Sequence, residues 1–216
     1  MTIEKIYDEL KDITIKEDFI KLPKLLEELE KSIRENTCYK TSSKTRIKAI
    51  EKVASKQEHR PSLTGYGIVD DYKVITDSYH LVAIKQDNMP LKLVATDEEL
   101  KELNINKNEY LEKNGSSSII NCSYPNVSHL IKFDKNNCTT IKIDVDDVAK
   151  FYKINRKYAD KNLYEIGKNL FNIKYLKNVI DVLGKNITVY EAGEHRPLYI
   201  VNENEEIGLV LPCRKF

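Results

Sequence analysis

The sequence has few of the features that mark phosphate-binding and metal-binding proteins. Its seven glycines form no glycine-rich loop of the kind that binds phosphate groups. Its four cysteines have no CxxC spacing, which disfavours a zinc site and favours free thiols in a reducing cytosol; they are Cys38, Cys122, Cys138 and Cys213. We therefore expect a cytoplasmic protein that holds neither a metal ion nor another cofactor.

The sequence also lacks long apolar runs and an excess of one charge. No run approaches the ~18 apolar residues that a membrane-spanning helix needs, and the charged stretch MTIEKIYDELKDITIKEDFIKL is unlike a secretory signal or an anchor. The 35 Lys and Arg residues against 34 Asp and Glu residues give a net charge of +1. We therefore expect no membrane partner, and neutrality argues against a wholly basic nucleic-acid binder, so the distribution of the charges is the informative property.

What the sequence does contain is a series of helix and strand patterns. Its 216 residues, 41% of them hydrophobic, can bury a normal core in one domain or two small ones. Residues 1–40 place apolar side chains at three- and four-residue spacing, which predicts a helical N-terminal extension. The stretch SSKTRIKAIEKVASKQ predicts an amphipathic helix, and LTGYGIV, YKVIT and YHLVAI predict an antiparallel meander after it.

A second series of patterns begins at Thr139. TTIKIDV and LYEIGKNLF predict strands, and DVDDVAKFYKINRKY predicts a helix opened by aspartates. NIKYLKNVIDVLG predicts a helix that begins at the Asn172 cap and stops at Gly184, followed by strands in NITVYEA, PLYIVN and EIGLVLPC. Between the two series, TDEELKELNI predicts a short helix. The recurring unit of strand, helix and antiparallel strands predicts an α+β fold.

The tetrapeptide EHRP occurs twice, at 58–61 and at 194–197. The first copy directly follows a predicted helix, whereas a predicted strand lies between the helix and the second copy. The two copies are therefore out of register with the recurring unit, and EHRP is not evidence of a duplication.

Three stretches follow one another along the chain: RPSLTGYGIVDDYKVITDSYHLVAI, then YPNVSHLI, then YEIGKNLFNIKYLKNVIDVLG with RPLYIVNENEEIGLVLPCR. In this order they resemble segments of the bacterial DNA polymerase III beta subunit family, the DNA sliding clamps. RPSLTGYGIVDDYKVITDSYHLVAI is similar to the family's R-P-x-L-x-G…T-D-G-H-R-L segment, and YPNVSHLI is similar to its F/Y-P-D-Y-x-x-V/L-I interdomain connector. YEIGKNLFNIKYLKNVIDVLG and RPLYIVNENEEIGLVLPCR resemble the last half-domain with its M/L-P-x-R tail. Two motifs depart from the family: TDGHRL is TDSYHL here, and Lys132 replaces a usual proline of the connector.

The resemblance implies a DNA-clamp fold behind the helical extension. It covers roughly residues 44–95 and 123–216, and it implies that 41–131 form a clamp-like domain resembling the middle clamp domain. Residues 132–216 would resemble the C-terminal clamp domain, whereas 1–40 do not resemble the first of the three domains in a bacterial subunit. Two-domain subunits would have to form a trimer to reach the six domains of a closed ring, which predicts a homo-oligomer.

The resemblance also implies contact with duplex DNA. A clamp needs helices whose positive side chains meet phosphates without reading bases. Three predicted helices carry basic stripes, although a basic stripe can also be an ordinary solvated helix face. The predicted DNA-binding residues are Lys44, Lys48, Lys52, Lys56, Lys150, Lys153, Arg156, Lys157, Lys174 and Lys177.

A second implied site is a hydrophobic cleft that binds short linear peptides of DNA polymerase and other replication proteins. The loss of the family's glycine and arginine from TDSYHL predicts a different peptide preference, and the alternative is that these are ordinary strand and core residues. Carried over by motif, the cleft residues are Leu63, Thr76, Leu81, Leu209, Val210, Leu211, Pro212, Cys213 and Arg214.

The sequence thus predicts a non-enzymatic processivity or docking factor of DNA replication, from a phage or mobile element. One alternative is a clamp-fold adaptor or decoy that binds replication proteins without encircling DNA. Another is a metal-dependent hydrolase built on Asp144, Asp146 and Asp147, although aspartates at a helix start more often cap it.

A hydrolytic triad is the weakest alternative. Asp77, Ser78 and His80 are the right residue types, but neighbours on one strand cannot supply the geometry of nucleophile, base and orienting group. We therefore predict no catalytic residues.

Overall fold

The computed structural model describes residues 43–54, 59–89, 109–111, 117–120, 122–158 and 162–213. All of them belong to one compact unit, Thr41–Phe216. The predicted extension 1–40 and the predicted helix TDEELKELNI lie outside the described residues. The division at residues 131 and 132 stays a prediction.

The described residues form helices and short strands. No helix among them is long and apolar enough to cross a membrane. Short 3₁₀ turns at Pro61–Leu63, Gln86–Asn88 and Lys135–Asn137 join some of the elements. In chain order the elements are α1 (Ser43–Val53), β1 (Gly65–Val69), β2 (Tyr72–Thr76), β3 (His80–Lys85), β4 (Glu109–Leu111), β5 (Ser117–Ile119), α2 (Ser128–Ile131), β6 (Thr139–Ile141), α3 (Val145–Asn155), β7 (Leu163–Ile166), β8 (Asn169–Asn172), α4 (Ile173–Leu183), β9 (Ile187–Glu191), β10 (Leu198–Asn202), β11 (Ile207–Val210) and β12 (Pro212–Cys213).

Two antiparallel meanders join edge to edge in one sheet. Its strand order is β5-β4-β1-β2-β3-β11-β10-β9-β6, and a second sheet has the order β12-β8-β7. The joint is the antiparallel pair β3–β11, in which Leu81 lies opposite Leu209. Each meander follows a helix, α1 before β1 and α4 before β9. The predicted α+β class is confirmed. The predicted unit of strand, helix and antiparallel strands is seen in full from β8 to β11, and α1 with β1, β2 and β3 shows its helix and antiparallel strands, since the residues before α1 lie outside the described part of the chain.

Helix ends follow the predicted caps. The Asp144 side chain accepts hydrogen bonds from the backbone N–H groups of Asp146 and Asp147 at the start of α3, and Asn172 accepts one from Lys174 N at the start of α4. Gly184 ends α4 with a φ of 91°. Each cap satisfies backbone groups that the helix itself leaves unpaired.

The predicted single strand LYEIGKNLF is wrong, because the chain reverses within it. β7 and β8 form an antiparallel hairpin in which Ile166 lies opposite Asn169. Gly167 occupies the turn with a φ of 59°, a left-handed conformation that glycine adopts without a steric penalty. The predicted strand EIGLVLPC is also divided, since β11 ends at Val210 and β12 pairs with β8 in the second sheet.

The main core lies between the nine-stranded sheet and a layer of three helices. α1, α3 and α4 all contribute to one cluster of buried side chains, together with alternate residues of the central strands such as Val82 and Val210. Gly208 brings β11 against α4, because a Cβ atom there would lie 2.2 Å from Val179 Cγ1 and 2.9 Å from Leu183 Cδ1. The helix layer therefore sits close against the joint between the two meanders.

The opposite face of the sheet is covered by the segment around α2. Val127 and Ile131 are buried there against Leu81 and Leu209. Just before α2, the Tyr124 ring lies over β1 at Gly67, where a Cβ atom would come within 2.3 Å of the ring. The two faces of one sheet thus have different covers: helices on one side and the connector segment on the other.

A buried ion pair links α1 to the turn before β11. Arg46 Nη2 lies 2.9 Å from Glu206 Oε2, with side-chain exposures of 3% and 0%. The same oxygen accepts a hydrogen bond of 2.7 Å from Asn202 Nδ2, and Arg46 Nη1 donates to the Asn88 carbonyl oxygen at 3.0 Å. Both charges are therefore partnered within the interior, which is the condition for tolerating them there.

Candidate functional site

A cleft of about 460 Å³ opens on the connector side of the sheet, where the two meanders meet. β2 and β3 supply one wall, β11 and Leu211 supply another, and the connector before and within α2 supplies a third. The lining residues are His59, Arg60, Pro61, Ser62, Leu63, Thr76, Ser78, Tyr79, His80, Leu81, Pro125, Val127, Leu130, Leu209 and Leu211.

The cleft includes part of the predicted set of peptide-binding residues. Five of the predicted cleft residues do so: Leu63, Thr76, Leu81, Leu209 and Leu211.

Three of the remaining predicted cleft residues lie elsewhere, and the fourth is not described. Val210 points to the other face of the sheet, into the helix-side core. Pro212 and Cys213 form β12, which pairs with Phe171 and Leu170 of β8. Arg214 lies outside the described residues.

The connector wall was not predicted as part of the cleft. Pro125, Val127 and Leu130 come from YPNVSHLI, a stretch that the sequence identified only as an interdomain connector. A signal was present, because apolar residues in a connecting segment need a surface to cover.

The rim of the cleft carries exposed apolar side chains. Tyr79 is 53% exposed and Leu211 is 36% exposed, and Leu211 N donates a hydrogen bond of 3.0 Å to the Tyr79 carbonyl oxygen. The Tyr79 ring is stacked on Tyr175 of α4, with ring centroids 5.7 Å apart and planes at 4°. A wide apolar mouth of this kind suits an extended chain with large apolar side chains.

A buried histidine, His80, lies at the start of β3 beneath this rim. His80 Nδ1 lies 2.7 Å from Asp77 Oδ1, and the His80 ring is stacked on Tyr175 at 4.6 Å. Burial by itself would raise the pKa of the Asp77 carboxyl, but the hydrogen bond and charge of His80 and the backbone N–H of Tyr79 hold that pKa below its ordinary value. Asn178 Nδ2 lies 3.4 Å from His80 Nε2 and donates to the Lys52 carbonyl oxygen at 3.4 Å, which ties β3 to α4 and α1.

The predicted basic stripes lie on the helix layer. Lys48 and Lys52 of α1 and Lys174 of α4 are exposed. Lys177 forms an ion pair with Asp181, so its charge is locally compensated. The exposed cations at α3 and its C-terminal end are Lys150, Lys153, Arg156 and Lys157.

Two members of the predicted set have no described side chain. Lys44 lies within α1, but its side chain is not described, and Lys56 lies outside the described residues. An apolar side chain that the sequence did not single out, Ile154, is 69% exposed among the α3 cations.

The aspartates of the hydrolase alternative have separate partners. Asp144 caps α3, Asp147 Oδ2 accepts a hydrogen bond of 3.0 Å from the Tyr164 hydroxyl, and Asp146 Oδ1 lies 2.8 Å from Lys185 Nζ. Across the described part of the chain, no three His, Cys, Asp or Glu side chains form a group that could hold a metal ion. The three carboxylates act as a cap, an acceptor and an ion-pair partner.

The residues of the triad alternative are also engaged separately. His80 contacts Asp77, whereas Ser78 Oγ accepts a hydrogen bond of 3.3 Å from Arg60 Nη1. Ser78 and His80 flank the exposed Tyr79, and both contribute to the cleft.

Helices cover one face of a sheet made of two meanders joined edge to edge, and a cleft opens at the joint on the other face. This arrangement is a DNA-clamp architecture. Solved bacterial sliding clamps share it. The chain is similar to the DNA polymerase sliding clamp of Bacillus subtilis, with a TM-score of 0.51 and 19% sequence identity over 81% of this chain and 62% of that chain. It is similar to the DNA polymerase III beta chain of Streptococcus pneumoniae, with a TM-score of 0.52 and 18% identity over 80% of this chain and 63% of that chain.

A third solved structure with this architecture contains a peptide. The Helicobacter pylori beta clamp bound to a DNA ligase peptide has a TM-score of 0.50 and 14% identity, over 80% of this chain and 63% of that chain. No family model and no curated protein sequence matches the chain.

The resemblance found in the sequence is therefore confirmed at the level of fold. The chain has the fold of the bacterial DNA polymerase III beta sliding clamps, and it spans about 62% of the length of the Bacillus subtilis clamp chain.

Proposed function

We propose that this chain is a sliding-clamp-like docking factor of DNA replication. It contacts duplex DNA through its helix layer, without reading bases, and it binds short linear peptides of replication proteins in the cleft. The observation that carries the proposal is the separation of the two surfaces: exposed cations on the helix face, and an apolar cleft on the opposite face. A protein that joins DNA to an enzyme needs two sites that can be occupied together.

The helix layer has the chemistry for phosphate contact. Cations at four positions along and just beyond α3 add to those of α1 and α4, and exposed lysines and arginines bind phosphates regardless of base sequence. The DNA-binding set that we propose consists of Lys44, Lys48, Lys52, Lys56, Lys150, Lys153, Arg156, Lys157, Lys174 and Lys177, with Lys177 contributing least because Asp181 neutralises it.

The cleft has the chemistry for a linear peptide. Its floor is formed by buried leucines at the β3–β11 joint, and its mouth is lined by Tyr79 and Leu211. A solved beta clamp of the same fold binds a DNA ligase peptide, which supports a peptide as the ligand here. The proposed role involves no catalysis and no cofactor, and it operates in the cytoplasm of a bacterial host, with a phage or mobile element as the source of the gene.

Encirclement of DNA requires a closed assembly. If each chain supplies two clamp domains, a ring of six domains is a trimer. We expect light scattering at physiological salt to give the mass of three chains across a wide concentration range. A mass of one chain at every concentration would contradict the ring and would favour the adaptor, which binds replication proteins without encircling DNA.

Two matched variants separate the two binding surfaces. Leu211→Asp and Ile154→Asp each place a carboxylate at an exposed apolar position, the first at the cleft and the second among the α3 cations. We expect Leu211→Asp to weaken binding of a labelled leucine- and phenylalanine-containing peptide at least about tenfold and to leave duplex DNA binding unchanged. We expect Ile154→Asp to weaken DNA binding severalfold and to leave peptide binding unchanged.

Fluorescence anisotropy with labelled peptide measures peptide binding, and anisotropy with labelled duplex measures DNA binding. Circular dichroism of each variant checks the fold. Equal loss of peptide binding and DNA binding in either variant would contradict the proposal that the two surfaces bind independently. An absence of peptide binding by the unmodified chain would contradict the proposed docking function.

A further inference from the structure

A line of polar groups crosses the core between the β2–β3 turn and the end of α1. Its two buried side chains, His80 and Asn178, have exposures of 1% and 4%. His80 Nδ1 lies 2.7 Å from Asp77 Oδ1, and Asn178 Nδ2 lies 3.4 Å from His80 Nε2 and 3.4 Å from the Lys52 carbonyl oxygen. Both ring nitrogens of His80 therefore face a polar partner inside the protein.

These partners determine where the protons lie. A carboxylate and a carbonyl oxygen only accept hydrogen bonds, so His80 Nδ1 carries a proton for Asp77, and Asn178 presents its NH₂ group to Lys52. The second hydrogen of that NH₂ group is available to His80 Nε2. Nε2 completes this arrangement only as an acceptor, which makes His80 a neutral imidazole with its proton on Nδ1.

Asn178 also caps α1. The last four carbonyl groups of a helix have no partner within the helix, and α1 ends at Val53, so the Lys52 carbonyl is one of them. Because Asn178 belongs to α4, its amide joins the end of α1 to the neighbouring helix. The orientation of one amide thus decides whether the Lys52 carbonyl has this donor.

The titratable groups around the His80 ring come from three elements. Asp77 of the β2–β3 turn is a carboxylate at hydrogen-bond distance. Tyr175 of α4 is stacked on the ring at 4.6 Å, with Cys213 of β12 beside it, and burial raises the pKa of both the Tyr175 hydroxyl and the Cys213 thiol, so both are neutral near neutral pH. β11 presents the apolar Val210 opposite His80, and α1 presents the carbonyl described above. Asp77 therefore favours a second proton on the ring, and the Asn178 NH₂ group disfavours it.

We propose that His80 is a proton-operated switch at the end of α1: protonation of Nε2 turns the Asn178 amide over and removes the hydrogen bond from the Lys52 carbonyl. A protonated Nε2 donates, so it opposes the Asn178 NH₂ group and attracts Oδ1, which reaches it when the amide rotates by about 180°. The proton comes from solvent, and the Asp77 carboxylate compensates the added charge. The last turn of α1 then opens more easily.

The switch also acts on the proposed DNA surface, and this part rests on the proposed function. α1 carries Lys48 and Lys52 of the proposed DNA-binding set, both exposed. A loosened last turn spreads Lys52 over more positions, so its contact with a phosphate costs more conformational entropy. We therefore expect protonation of His80 to weaken the contact of α1 with DNA.

The first test is the position of the proton, read from the nitrogen-15 resonances of the imidazole rings. The chain has four histidines, and replacing each of the exposed ones, His59, His129 and His195, by glutamine assigns the remaining signal to His80. At about pH 8 we expect His80 to show a protonated Nδ1 and an unprotonated Nε2. A proton on Nε2 at that pH would overturn the switch.

The second test is amide hydrogen exchange in the last turn of α1, expressed as protection relative to an unstructured peptide at the same pH. From about pH 8 to about pH 5 we expect the protection of the Val53 and Ala54 amides to fall about fivefold, because the helix end loses one hydrogen bond. His80→Gln cannot be protonated and is expected to lose less than about twofold over the same range. His195→Gln, which removes an exposed histidine from the β9–β10 turn, should keep the full loss.

Each outcome decides one part of the proposal. An equal loss of protection in His80→Gln and in the unmodified chain would overturn the assignment to His80. Asn178→Leu removes the amide, so we expect low protection of the α1 end at both pH values, and high protection at about pH 8 would overturn the cap.

Anisotropy with labelled duplex tests the part that concerns DNA. At about pH 5 we expect His80→Gln to bind duplex about two- to threefold more tightly than the unmodified chain, and at about pH 8 equally well. Equal affinity at the lower pH would overturn the link between the switch and DNA. Failure of both chains to bind duplex would overturn the proposed function, while the imidazole resonances and the amide exchange still decide the switch.

Discussion

Replacing Arg46 by leucine is expected to lower the free energy of unfolding by about 3–5 kcal/mol. The substitution leaves the Glu206 carboxylate, which has a side-chain exposure of 0%, without its cation at 2.9 Å. Asn202 remains a hydrogen-bond donor to Glu206, but an amide cannot compensate a buried negative charge. Urea denaturation followed by circular dichroism measures the loss.

A double variant separates the buried charge from lost packing. Arg46→Leu combined with Glu206→Leu removes both charges, so we expect it to lose less than half of what the single variant loses. A single variant that costs less than about 1 kcal/mol, or a double variant as unstable as the single one, would contradict the role assigned to the ion pair.

Replacing Gly208 by valine is expected to destabilise the fold by about 3 kcal/mol through overpacking. The new Cβ would lie 2.2 Å from Val179 Cγ1, so either α4 or β11 has to move. Because β11 is also the cleft wall that carries Leu209, the displacement should weaken peptide binding in the fraction that remains folded. Urea denaturation and peptide anisotropy measure the two effects.

The control for this substitution is Gly184→Ala. No atom lies within 4 Å of a Cβ atom there, so the obstacle is the backbone conformation, with a φ of 91° and a ψ of −166°. That conformation is nearly restricted to glycine and costs another residue about 1–3 kcal/mol. Adding Val179→Ala to Gly208→Val should recover part of the loss, since it removes the atom that clashes. If the double variant is as unstable as Gly208→Val alone, the close approach of α4 to β11 is not the cause of the destabilisation.

Elements that depend on local pattern were predictable from the sequence. The meander of β1, β2 and β3 and the caps at Asp144, Asn172 and Gly184 have local signals, and all are confirmed. The β7–β8 hairpin was missed because the predicted strand includes Gly167 in its interior, whereas its φ of 59° places it in a turn. A glycine between two strand-like runs is consistent with a turn or with a strand interior, and the sequence alone did not distinguish them.

The cleft was predictable in part. Motif resemblance predicted Leu81 and Leu209 as cleft residues. Which face of the sheet the Val210 side chain points to depends on the strand register, and that register is set by the pairing of β11 with β3. Arg46 and Glu206 look like surface residues in the sequence, since charged side chains are mostly exposed. They are buried because two segments that are distant in the sequence pack together. No local sequence pattern indicates that contact.

The joint between β3 and β11 also has a consequence for how the chain folds. Leu81 pairs with Leu209, so the centre of the sheet forms only when segments far apart in the sequence meet. Closing so long a loop costs entropy before any of the buried contacts at the joint can form, which slows folding relative to a protein with local contacts. During synthesis the first meander is made before β11, so the edge of β3 stays unpaired until β11 emerges, and an unpaired strand edge can pair with other chains and start aggregation.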